Sequence, residues 1–142
     1  MDDPYRLGRF VSAQDSGYGY DSVLAELRAG EKVSHWMWYV FPQVSGLGSS
    51  SMAQQYAIAS LDEARAYLAH PVLKKRLGDA IDALLGVEGR SITRILGPID
   101  AMKLRSSMTL FDAAEPTEPA YQQILDKYFD GRPDDRTLEL LR

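Results

Sequence analysis

Apolar residues recur along this chain at three- and four-residue spacing, and the gaps between them hold helix-start and helix-stop residues. Leu7, Phe10, Val11 and Gln14 follow Asp3-Pro4, which reads as an N-cap with proline at the first helical position. Gly17-Tyr18-Gly19 breaks that run. Asp21 can cap a second helix bearing Val23, Leu24 and Leu27, with Gly30 at its C′ position. Ser60-Leu61-Asp62-Glu63 is a capping box that opens a short helix through Leu68. His70-Pro71 starts the clearest amphipathic helix, carrying Leu73, Leu77, Ile81, Leu84 and Leu85 as far as Gly86. Ser91 caps a short helix of Ile92, Ile95 and Leu96, which Gly97-Pro98 ends. Ile99 to Ala113 reads as another helix, Pro119 opens one that Gly131 closes, and Asp134 or Asp135 caps a last turn or two.

One segment does not declare itself. Ser34 to Phe41 is apolar on every face, so periodicity cannot separate buried helix from buried strand. No convincing strand elsewhere could pair with it, which favours helix. The expected fold is mainly α: a single compact domain over 1–142, built of about seven to nine short helices. At 142 residues the chain is long enough for a real hydrophobic core without disulfide or metal staples.

Composition narrows the chemistry. There is no cysteine, so disulfides, thiolate nucleophiles, iron–sulfur clusters and Cys-type zinc sites are all excluded. That suits a reducing cytoplasm. The longest apolar run, Trp36 to Phe41, is far short of the ~20 residues a membrane span needs, and Met1-Asp2-Asp3-Pro4 is acidic where a signal peptide is basic. The 16 basic and 20 acidic residues give a net charge of −4, which argues against binding duplex nucleic acid. The charge is unevenly spread. Between Arg65 and Arg105 stand eight Lys/Arg and four Asp/Glu, so a basic middle lies between acidic flanks. It reads either as a solvated helix surface or as a sector that receives a small anion.

There is no phosphate-binding G-x-x-x-x-G-K-[ST] loop and no G-x-S-x-G nucleophile elbow. His35 and His70 are the only histidines and have no ligand-spaced partner, so neither a metal nor another cofactor is implied. His70, just before Pro71, reads as a helix-entry residue. Two stretches could carry chemistry. The first runs from His35, Trp36 and Trp38 through Gln43 and the Gly/Ser loop to Ser50, Ser51 and Gln54. A Gly/Ser loop opening a helix offers backbone N–H groups and hydroxyls to an anion, with aromatic faces alongside. Helix capping and core packing explain the same residues without a ligand. The second stretch is the helix from Ile99. Ile99, Met102, Ser106 and Leu110 share one face, and Leu104, Met108 and Phe111 share a roughly opposite one. Asp100, Lys103 and Ser107 fall in the narrow sector between them. Lys103 is therefore a partly buried cation that needs a partner: Asp100 at i−3, a bound anion, or both.

These stretches carry a resemblance. Ser34 to Gln43, Gly46-Leu47-Gly48-Ser49-Ser50, Asp62-Glu63-Ala64 with Tyr67 to Leu73, and Lys103 to Phe111 resemble the bacterial family catalogued as domain of unknown function 1810. The likeness runs from Asp3 to Leu141. It implies a small helical fold and no established activity. The label calpastatin that some members carry does not suit a chain built to fold, because that inhibitor is disordered. A fainter likeness, in Ser51 to Tyr56, Arg76-Leu77-Gly78 and the later Lys-bearing helix, is similar to the NADAR family. That family is helical and cleaves N-glycosidic bonds of phosphoribosylated or ADP-ribosylated compounds. Its catalytic glutamate would fall near Gln54 and Gln55, and neither amide can act as an acid or base.

Two functions are expected from these features. One is a domain that binds a small anionic ligand, of nucleotide or phosphorylated-sugar type such as ADP-ribose or NAD. His35, Trp36, Trp38, Gln43, Ser50, Ser51, Gln54, Lys103 and Ser107 would line its pocket. If it hydrolyses an N-glycosidic or phosphorylated-sugar substrate, His35 is the neutral-pH base. The other is a non-catalytic interaction or scaffold domain, with an exposed apolar patch in place of a polar pocket.

Overall fold

Side-chain caps set most of the helix starts. Ser50, Ser60, His70, Ser91 and Asp134 each accept a backbone N–H from three residues on, so orphan donors at five helix N-termini are met by the preceding residue. The computed structural model describes residues 3–17 and 19–142. Its helices are α1 (Gly8–Asp15), α2 (Tyr20–Ala29), α3 (Met37–Val40), α4 (Ser51–Gln55), α5 (Leu61–Ala69), α6 (Pro71–Gly86), α7 (Ile92–Leu96), α8 (Pro98–Ala114), α9 (Ala120–Tyr128) and α10 (Asp135–Leu140). There is no strand among the described residues; one parallel bridge joins Val44 to Ile58. The mainly α expectation holds, with ten helices in place of seven to nine.

Three helix starts differ from the sequence reading, each for a local reason. Asp3 does cap α1, but from a distance: its carboxylate accepts Leu7 N–H at 2.7 Å and Gly8 N–H at 2.9 Å across an intervening turn. Those backbone bonds, Gly8's foremost, hold its pKa below the usual value. Helix α2 begins on Tyr20 after Gly19, so Asp21 sits within the first turn, where negative charge suits the helix dipole. The capping box opens α5 as expected, yet Glu63 Oε1 returns to Ala59 N–H, one residue before the cap. In the Gly17-Tyr18-Gly19 break, Tyr18 lies outside the described residues.

The ambiguous segment is helical only over Met37–Val40. Residues before it are bent by Glu26, whose carboxylate accepts Val33 N–H, Ser34 N–H, the Ser34 hydroxyl and the Trp36 indole N–H. Pro42 then disfavours helical backbone at Phe41.

The core gathers around α8, which packs on α5, α7, α9 and α10, while α6 packs on α2, α5 and α9. Leu104, Met108, Leu110 and Phe111 are buried on α8. The other expected apolar face is buried only in its second half: Ile99 and Met102 are each 70% exposed. The two-sided helix of the sequence reading is thus one-sided over its first two turns.

Candidate functional site

Helix α3 and its flanks place the aromatic candidates. Trp36 and Tyr39, three apart, face one side with His35. Trp38 turns toward α8, where its ring meets the Lys103 ammonium. Past Pro42, Gln43 reaches the α8 side as well.

On the α8 side, Asp100 is shared by two lysines. Lys32 Nζ lies 2.9 Å from Asp100 Oδ2, and Lys103 Nζ lies 3.6 Å from Oδ1. Each ammonium also sits 5.0 Å from an indole ring, Lys32 over Trp36 and Lys103 over Trp38. Lys32 is deeply placed, its side chain 8% exposed, and its backbone N–H donates to Ile95 O. The Glu26 clamp holds the 33–36 bend that follows Lys32. Burial raises the pKa of Glu26, but the Ser34 and Val33 N–H bonds, with the Ser34 hydroxyl and Trp36 indole, overcome that and leave it lowered.

Two lysines against one carboxylate leave one positive charge in excess. Lys32 takes the short contact. Lys103 is beyond hydrogen-bond distance from Asp100, so its three donors have no hydrogen-bond partner among the described residues. It lines a cavity of about 300 Å³ with Gln43, Leu47, Gly48, Ile99, Met102, Ser106, Asp134 and Arg136. Gly48 is needed for closeness here: a Cβ would stand 2.5 Å from that of Ala53. Gln43 is fixed by its backbone, since Gln43 O accepts Ile58 N–H at 2.8 Å and Ser45 N–H donates to Ile58 O at 2.8 Å. Asp134 is occupied as a cap, accepting Thr137 N–H, the Thr137 hydroxyl and the Ser106 hydroxyl. Arg136 stands 3.6 Å from Glu139.

The structure brings Gln43, Lys103 and Trp38 together and disperses the other sequence candidates. His35 and Trp36 line the second concavity, of about 210 Å³, with Gln14, Ser22, Ser34 and Tyr39 among its other walls. Trp36 is buried, so its ring serves packing and the Lys32 contact. Ser50 is the N-cap of α4 and accepts Ala53 N–H at 3.1 Å. Ser51 is exposed on the first turn of α4, and Gln54 Nε2 bonds back to Ser49 O. Ser107 is sealed inside the core, and its Oγ is a buried oxygen without a hydrogen-bond partner among the described residues. A larger concavity, about 620 Å³, lies along Val87–Thr93 with Lys127 and Tyr128, away from every candidate. Its Lys127 ammonium is spent on the carbonyls of Leu84, Leu85 and Val87.

Sequence reasoning missed Lys32, Asp134 and Arg136. Lys32 stands between the Gly30 stop and the tryptophan pair, and that position was the available signal. Asp134 was read only as a cap.

The family model described as protein of unknown function, DUF1810, matches residues 4–141. The chain belongs to that family. It is also similar to the crystal structure of the conserved hypothetical protein Rv1873 from Mycobacterium tuberculosis, at 51% identity and a TM-score of 0.95, with 98% of each chain covered. No curated protein matches. The DUF1810 fold is thus all-helical and shared with a bacterial homologue. Among the described residues, no helix is long and apolar enough to cross a membrane, and no group of three or more His, Cys, Asp or Glu could hold a metal ion.

Proposed function

We propose that this domain binds a small anionic molecule in the cavity beside Lys103, with nucleotides and phosphorylated sugars the first class to try. The observation that carries the reading is the uneven sharing of Asp100, which leaves Lys103 without a full partner at a cavity wall. A lysine whose ammonium is held over an indole and loosely by one carboxylate is positioned in advance, so an incoming anion meets little ordering cost.

A duplex nucleic acid is a poorer partner. The basic middle is largely matched by carboxylates: Lys74 by Glu115, Lys75 by Asp79, Arg76 by Asp15 and Arg65 by Asp62. The cysteine-free composition suits a cytoplasmic setting. Hydrolysis would need a base within hydrogen-bond reach of the bound ligand. His35 lines the other concavity, and Asp134 in this one is held as the α10 cap, so binding is the function supported best.

The interaction-domain reading keeps one observation of its own. Ile99 and Met102 are each 70% exposed at the rim of this cavity. Thermal-shift titration with NAD, ADP-ribose, nucleotides and ribose 5-phosphate tests the proposal. The expected result is stabilisation by at least one of these that grows as RT ln(1 + [L]/Kd) and disappears in Lys103→Met. An absence of stabilisation by every anion would favour the interaction reading.

A further inference from the structure

The surroundings of Lys103 set a limit on the ligand's charge and shape. We infer that the cavity takes one anionic group joined to a flat apolar body, and that it discriminates against polyphosphates. This rests on Lys103 being the anion-accepting cation.

The first argument is charge. Lys32, Lys103 and Asp100 together carry one net positive charge. Beyond them the walls add no further excess. Asp134 lines the same cavity as a carboxylate and offsets the charge of Arg136, the other cation there, which also has Glu139 at 3.6 Å. A single carboxylate or phosphate group matches Lys103. A second or third phosphate would have to lie near Asp134 or Asp100, and like charges in a partly desolvated site repel.

The second argument is the wall itself. Leu47, Ile99 and Met102 give it an apolar side, and the flexible thioether of Met102 adapts to a planar ring. The polar groups are few. Gln43 offers an amide, while the Ser106 hydroxyl is engaged with Met102 O and Asp134. A sugar ring with four or five hydroxyls would leave most of them unpaired against aliphatic carbon. A nucleobase or an aromatic acid buries its faces there without that penalty.

Isothermal titration of the full chain in low salt and without divalent metal separates these cases. The probes are adenosine 5′-monophosphate, the corresponding di- and triphosphates, ribose 5-phosphate and 2-naphthoate. The monophosphate and 2-naphthoate should bind. The triphosphate should be at least about threefold weaker than the monophosphate, and ribose 5-phosphate at least about tenfold weaker. Asp134→Asn keeps a competent helix cap and should narrow the monophosphate–triphosphate gap. A triphosphate that binds as tightly as the monophosphate, ribose 5-phosphate that matches it, or a gap unmoved by Asp134→Asn would overturn the inference. Failure of the underlying reading looks different: wild type and Lys103→Met would then titrate alike with every probe, while circular dichroism shows both folded.

Discussion

Two ion-pair nodes in this molecule use the same chemistry to different ends. At the first, Arg9 donates to Gln55 O, Tyr5 O, Arg6 O, Ala57 O and Glu63 Oε2, so all five of its N–H donors are used. Glu63 answers with both oxygens, to Arg9 and to Ala59 N–H. Charges balance one to one, and the node pins the 55–59 segment between α1 and α5. At the second, Asp100 serves two lysines, and the looser one faces a cavity. A closed node has nothing left to offer a ligand. An open one does, and that difference locates the candidate site better than the abundance of charge along the chain.

The largest effect should come from opening the closed node. Glu63→Ala leaves the part-buried Arg9 guanidinium without its carboxylate and Ala59 N–H without its acceptor, which should cost about 2–3 kcal/mol in urea unfolding. Anion binding by the protein that remains folded should be unchanged. If Glu63→Ala cost less than about 1 kcal/mol, the node would be no more than a surface pair.

Asp100→Asn should separate the two nodes more sharply. It removes the shared carboxylate, leaving Lys32 nearly buried and Lys103 free. Stability should fall by about 2 kcal/mol, while anion affinity rises about tenfold. A variant that lost stability and affinity together would show Asp100 to be part of the anion site's frame and not its competitor.

A smaller, pH-dependent effect belongs to Glu26. Its pKa is lowered in the folded protein, against burial, by bonds from Ser34, Val33 and Trp36. Stability from this group is therefore complete above its unfolded value near 4.5 and is lost as pH falls through the lower folded value. Acid titration followed by tryptophan fluorescence should show a step in that window as the 33–36 bend loosens. Glu26→Gln should remove the step and leave the neutral-pH fold intact. A step that persists in Glu26→Gln belongs to another carboxylate, with Asp3 next to test.

Much of the fold was legible because caps are local. Ser60, His70, Ser91 and Asp134 act over three residues, and the sequence shows both ends of each contact. The 34–41 segment was only half legible, since the bend before α3 depends on Glu26 from the previous helix. The site followed the same rule. Asp100 as the partner of Lys103 lies one helical turn away and could be read off the spacing. Lys32 reaches Asp100 from a distant loop, and no periodicity announces it. Ile99 and Met102 looked like core because a helix wheel shows which residues share a face, but not whether another element covers it. His35 and Trp38 are neighbours in sequence, yet the bend before α3 leaves His35 in one concavity while α3 turns Trp38 toward α8.

Anion affinity in Lys103→Met against wild type tests the central claim most directly, measured by titration calorimetry with adenosine 5′-monophosphate and accompanied by a urea melt. A partly exposed, loosely paired lysine contributes little to folding, so the melt should move by less than about 1 kcal/mol. Affinity should fall at least about tenfold, with Lys103→Arg recovering part of it. Equal affinities in the two proteins, both folded, would contradict the assignment of Lys103 as the cation that receives the ligand.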